Sequence, residues 1–164
     1  MRFVPDATSS KPSFLGLVLI TGTGALATDM YIAALPQMER DLGISTALAQ
    51  LTMTACIAGM AIGQLIVGPI SDSRGRRTLI LIFTAIFALM SALCAVAEDG
   101  SLLIAARLVQ GFASGAAAAI GRAVVTDVWE DREAAAKFGS LTAVGLIAPV
   151  LGPSIGGLLL GVGT

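Results

Sequence analysis

The sequence predicts an all-α integral membrane protein with about five transmembrane helices, and three observations predict it. Of 164 residues, 55% are hydrophobic and only 13% are charged, well below the charged share of soluble domains. The mean hydropathy is +0.88. The charges also gather in short clusters that separate long apolar runs. Each run has the roughly 20 residues that a helix rising 1.5 Å per residue needs to cross about 30 Å of hydrocarbon.

After an N-terminal tail, residues 1–13, the runs cover approximately 14–35, 47–69, 78–97, 101–125 and 141–163, together a helical domain over 14–164. All are expected to be helical, because lipid offers the backbone no partner outside its own ladder or a closed barrel, and the two-residue alternation of a barrel strand is absent. The first run has an alternative reading as a cleaved signal peptide, since Lys11 precedes an apolar stretch that reaches Ala25-Leu26-Ala27. Apolar character continues to Leu35, so the run is read as a span.

Orientation follows from the basic residues. Arg2, Lys11, Arg74, Arg76, Arg77, Arg132 and Lys137 fall on one side of such a topology, and Arg40 stands alone among acids on the other. The positive-inside bias therefore predicts a cytoplasmic N-terminus. An odd number of spans places the C-terminus outside, and the stop at Thr164, directly after a span, is expected of a piece of a longer protein.

The composition also excludes functions. A net charge of −1 provides no basic field, so nucleic acid is not an expected partner. Histidine is absent, and Cys56 and Cys94 lie within apolar runs, which leaves no metal-ligand spacing and no histidine base. No Gly-x-Ser-x-Gly nucleophile motif is present either, so an enzyme is not expected. No cofactor is implied.

Three kinds of interruption in the apolar surface are informative. A charge at the centre of a span costs roughly 2.5 to 3.5 kcal/mol on insertion scales, so one that persists calls for a reason. Asp29 and Arg107 fall at similar depth in the outer half of the predicted membrane. They either face one shared cavity or serve as snorkelling or structurally paired charges. Arg122 lies about one turn from the cytoplasmic loop, within reach of headgroups or loop acids.

Glycine is the second interruption. Gly59 and Gly63, Gly111 and Gly115, and Gly152 and Gly156 are four apart, the spacing that lets membrane helices approach closely. In the fifth run, Gly145, Pro149, Gly152, Pro153, Gly156 and Gly157 add two prolines, each of which removes a ladder donor and favours a kink. The third interruption runs from Gly68 through Pro69, Asp72, Arg74, Gly75 and Arg76 to Arg77 and reads as a tight cytoplasmic turn.

These residues resemble the major facilitator superfamily, and within it the Bcr/CflA-type drug:proton antiporters. Asp29-Met30-Tyr31 with Ala34-Leu35-Pro36 is similar to that family's membrane-embedded acidic motif, with Ala33 where proline is common. Gly68, Asp72, Gly75, Arg76 and Arg77 resemble the signature between the second and third helices, although Ser73 stands where an arginine usually follows the aspartate and Arg74 comes one place later. Arg107, Gln110 and Gly111 resemble the fourth-helix motif of proton-coupled exporters. Arg122 and Asp127 resemble the end of that helix, with Thr126 in place of a second basic residue. The run from Gly145 to Gly157 resembles the antiporter motif of the fifth helix.

The resemblance implies a twelve-helix fold in two six-helix halves, of which this chain forms most of the N-terminal half, with substrate bound near the midplane and alternating access by rocking of the halves. It implies proton-coupled efflux of drugs or other small organic molecules, relevant to antibiotic resistance, through a multi-pass plasma membrane protein of the bacterial inner-membrane type. The implied coupling ion is the proton. Asp29, Arg107, Gln110 and Tyr31 are the implied coupling and cavity residues. Asp72 is implied to meet a neighbouring helix N-terminus in one conformation while Arg76 pairs with Asp127, latching the outward-facing state. The implied partners are the lipid bilayer, a small organic substrate, and the missing C-terminal half or a complementary chain. A second reading is a non-transporting assembly subunit whose intramembrane charges pair with another chain's helices.

Overall fold

A computed structural model describes residues 13–162 as five helices. The tail residues 1–12, with Arg2 and Lys11, lie outside the described residues, as do the side chains of Ser73, Arg74 and 159–162. Helix α1 spans Phe14–Leu42, opened by Ser13, whose hydroxyl accepts from the Gly16 N–H at 3.4 Å, and closed by Gly43 at φ +60°. Helix α2 spans Thr46–Arg74 with Ser45 as its cap, α3 spans Arg76–Ala95, α4 spans Gly100–Val128 behind Asp99, and α5 spans Asp131–Val162. All five are long and apolar enough to cross a membrane.

Most of the helices outrun the apolar runs because hydrophobicity marks only the hydrocarbon portion, while capping side chains set the ends in the polar flanks. The extension is largest in α5, whose first ten residues, 131–140, are mostly polar, charged or small.

One expectation is corrected. The turn predicted over residues 68–77 is helix as far as Arg74, and only Gly75, at φ +84°, separates α2 from α3. A single residue in a conformation that favours glycine reverses the chain, so Gly68 to Arg74 have no need to leave the helix.

Helix α4 is the centre of the bundle: 56% of its apolar window is buried, against 6% for α3 and 17% for α1. Its sequence explains this. Ala106, Gly111, Ala113, Gly115, Ala116, Ala117 and Gly121 are all buried, and small side chains on several faces allow α2, α3 and α1 to pack around one axis. A buried apolar cluster lies near the end of the bundle where α1 begins, joining Leu17, Val67, Ile80, Ile120, Val125, Trp129 and Leu141. Outward faces carry Leu65, Leu89, Leu146, Val150 and Leu158 well exposed, the surface a bilayer covers.

Candidate functional site

The seam between α2 and α4 is closed by glycine on both sides. A Cβ at Gly59 would strike the Leu108 carbonyl, one at Gly63 the Phe112 carbonyl, one at Gly111 the Cys56 carbonyl, and one at Gly115 the Met60 carbonyl. The two glycine pairs therefore interdigitate, and backbone lies on backbone with no room for a methyl group.

This close packing holds Arg107 in the interior, where it is 6% exposed. Its Cζ lies 3.2 Å from the centroid of the Tyr31 ring on α1, a cation–π contact that low polarity strengthens. Its Nη1 donates to Gln110 Oε1 at 2.9 Å. Gln110 Nε2 in turn donates to Ser91 Oγ on α3 at 2.7 Å, and Ser91 donates to the Phe87 carbonyl at 2.8 Å. The Cys94 thiol also reaches Gln110 Oε1, at 3.9 Å.

Tyr31 is fixed from its other end. Its hydroxyl lies 2.6 Å from Thr52 Oγ1, and Thr52, fully buried, donates to the Ala49 carbonyl at 2.6 Å. A carbonyl cannot donate and Thr52 has one proton, so Tyr31 is the donor in this pair. The result is a polar path across the apolar interior, from Ala49 on α2 through Tyr31 and Arg107 to Ser91 on α3. Arg107 Nε remains buried without a hydrogen bond.

Asp29 is not on this path. No ion pair joins it to Arg107 among the described residues. Asp29 and Tyr31 are two residues apart on one helix, which turns their side chains by roughly 200°. With Tyr31 committed to Arg107, Asp29 faces α5, where its Cβ lies 2.5 Å from the position a Gly152 Cβ would occupy. The similar depth expected of the two residues does not come with a shared face.

The remaining predicted residues fall into three places. Arg122 Nη2 donates to Gln64 Oε1 on α2 at 2.9 Å, so its partner is a neighbouring helix. Arg76 Nε is 3.0 Å from Asp127 Oδ2 and its Nη2 2.8 Å from Asp72 Oδ1. In this conformation Asp72 thus accepts from Arg76 one turn on, and among the described residues it makes no hydrogen bond to a helix N-terminus. Gly68 has open space around it and Arg77 is exposed. In α5, Gly152 and Gly156 meet α1, whereas a methyl group at Gly145 or Gly157 would point into open space, and Pro149 and Pro153 lie inside a continuous helix.

Several participants carry no charge and no glycine spacing. Thr52, Gln64 and Ser91 are polar residues inside apolar runs, and that polarity is the signal that marks them. Lys137 is another participant, with Nζ 4.3 Å from the Phe14 ring centroid and 5.0 Å from that of Trp129, joining the starts of α1 and α5 to the end of α4.

Membrane-spanning helices packed around a buried guanidinium define a multi-pass membrane protein with an intramembrane charge centre. Residues 17–164 match the family model of the Major Facilitator Superfamily, and the chain belongs to that superfamily. It is 43% identical over 146 residues to the uncharacterized MFS-type transporter YdgK of Bacillus subtilis (strain 168), covering 89% of this chain and 36% of that protein. It is 34% identical over 144 residues to the multidrug resistance protein MdtL of Citrobacter koseri, and likewise to that of Klebsiella pneumoniae subsp. pneumoniae, covering 88% of this chain and 36% of each relative. The chain thus spans about a third of the length of the curated relatives it matches.

Proposed function

We propose that the transporter carrying these helices exports small organic molecules, drugs among them, in exchange for protons by alternating access, as in the Bcr/CflA-type antiporters. The observation that carries this reading is the separation of two intramembrane charges on α1 and α4. Arg107 is held by Tyr31 and Gln110, while the Asp29 carboxylate has no hydrogen bond or ion pair among the described residues. A partly buried carboxyl without a fixed partner is free to exchange a proton against a substrate group. Burial favours its neutral form and approach of a guanidinium its ionised form, so movement of α1 relative to α4 would convert into proton uptake or release. Arg107 remains charged throughout and acts as the fixed electrostatic reference.

Names among the relatives favour efflux over uptake, and the family setting favours a bacterial plasma membrane with a cytoplasmic N-terminus. Arg76 with Asp72 and Asp127 would then latch the cytoplasmic end. The test is proton-gradient-dependent efflux in cells or proteoliposomes with the transporter that carries these helices. Asp29→Asn is expected to abolish the response to the gradient while the protein still inserts, and undiminished proton-coupled export would overturn the reading.

A further inference from the structure

We propose that Gly152 is a positioning residue for Asp29: the glycine motif of α5 sets the place of the α1 carboxylate. The geometry is specific to one position. A methyl group at Gly152 would lie 2.5 Å from Asp29 Cβ, 3.1 Å from the Asp29 carbonyl carbon and 3.1 Å from Met30 N. Two of these neighbours are backbone, so rotating the Asp29 side chain does not relieve the overlap. Either α1 and α5 separate or α1 turns about its axis, and both move Asp29. One turn on, Gly156 repeats the contact less tightly, 2.8 Å from Met30 O and 3.2 Å from Ala33 Cβ. Gly145, about two turns before Gly152, and Gly157, next to Gly156, have open space. Of the four motif glycines, two are therefore bound to the segment that bears the carboxylate, and two are not.

The surroundings make Asp29 sensitive to this seam. Beyond Lys137, α5 carries no charged residue as far as Val162. Within the apolar run of α2 the titratable group is Cys56, and α4 carries Arg107 and Arg122, held by Tyr31 with Gln110 and by Gln64 respectively, and at its far end Asp127, paired with Arg76. On α1 itself Tyr31 points away from Asp29. The polarity around the carboxyl is thus set largely by how closely the apolar α5 approaches, and Gly152 fixes that distance.

The functional consequence rests on the reading of Asp29 as the coupling carboxylate, but the test does not. Hydrophobic carbodiimides react with protonated carboxyl groups within membranes, so the pH dependence of labelling of the purified chain, with Asp29→Asn as blank, reports the protonation midpoint of Asp29 without any transport. Gly152→Ala is expected to move that midpoint by at least about half a pH unit, roughly threefold in proton affinity, while Gly157→Ala leaves it in place. Should Gly152→Ala fail to insert, Gly156→Ala is expected to move the midpoint in the same sense by a smaller amount. Equal midpoints in the α1-facing variant that inserts and in Gly157→Ala would overturn the proposal. A shifted midpoint alongside undiminished proton-coupled export by Asp29→Asn would instead retire the transport reading and leave the positioning role standing.

Discussion

The α2–α4 seam and the α1–α5 seam use the same residue spacing for different ends. In the first, Gly59, Gly63, Gly111 and Gly115 each place backbone against a carbonyl of the opposite helix, and the charge nearby is buried and held. In the second, Gly152 and Gly156 of α5 meet Asp29 and Met30 of α1, Gly22 of α1 meets only the Val144 side chain of α5, and the carboxyl has no fixed partner among the described residues. Reciprocal glycine pairs make a rigid seam because neither helix has a side chain that can yield. Glycines that face side chains and a titratable group, with no glycine opposite, would make a seam whose closeness sets polarity. The small-xxx-small pattern therefore says where helices meet, and what stands opposite says what the meeting is for.

The largest effect expected from breaking this comparison is at the rigid seam. Gly111→Ala must separate two backbones, and a loss of about 2 to 3 kcal/mol is expected, read as a lower thermal midpoint in detergent with reduced insertion. Gly152→Ala should cost less, about 1 kcal/mol by the same measurement, because its backbone neighbours lie at 3.1 Å, farther than those of Gly111, and on a less buried helix. Gly157→Ala meets nothing and gains helix propensity, so it should be neutral or stabilising by up to about 0.5 kcal/mol. A result in which Gly111, Gly152 and Gly157 respond alike would erase the distinction between the seams.

The held charge can be loosened in steps. Tyr31→Leu removes the ring beneath Arg107 and should destabilise by about 2 kcal/mol, whereas Thr52→Val leaves the ring and removes only its tether, at about 1 kcal/mol. A double-mutant cycle that shows no coupling between Tyr31 and Thr52 would contradict the polar path from α2 to Arg107.

Effects diminish toward the bundle ends. Arg76 and Asp127 are partly exposed, so Asp127→Asn should cost less than about 1 kcal/mol and respond to added salt. Smaller still is the acid response of Asp99, at the cap of α4. Its exposed carboxyl is held below the usual carboxylate range by the Ser101 hydroxyl and, next, by the Leu102 N–H. With the folded value depressed, the cap contributes fully above the unfolded value of about 4 and is lost as pH falls through the folded value. Asp99→Asn should therefore flatten the acid limb of thermal stability against pH and leave the neutral region nearly unchanged.

Much of this molecule was determined by its sequence alone. Span number and helical character follow from run length and from the need of a backbone in lipid to satisfy itself, a constraint so strong that five runs could become little else. The glycine pairs were legible as contact points for the same reason, since only the smallest residue gains by close approach. The pairing of Arg76 with Asp127 was implied by the family resemblance of their motifs, and the two side chains meet. The tertiary structure decided what sequence position cannot encode, namely which faces meet. Asp29 and Arg107 were expected at similar depth, yet Tyr31, two residues away, turned α1 so that Arg107 received an aromatic ring and Asp29 received Gly152. Thr52, Gln64 and Ser91 became partners only once helices distant in sequence were brought side by side. Hydropathy fixes how far a residue lies along the membrane normal, whereas rotation about the helix axis is set by the packing of its neighbours.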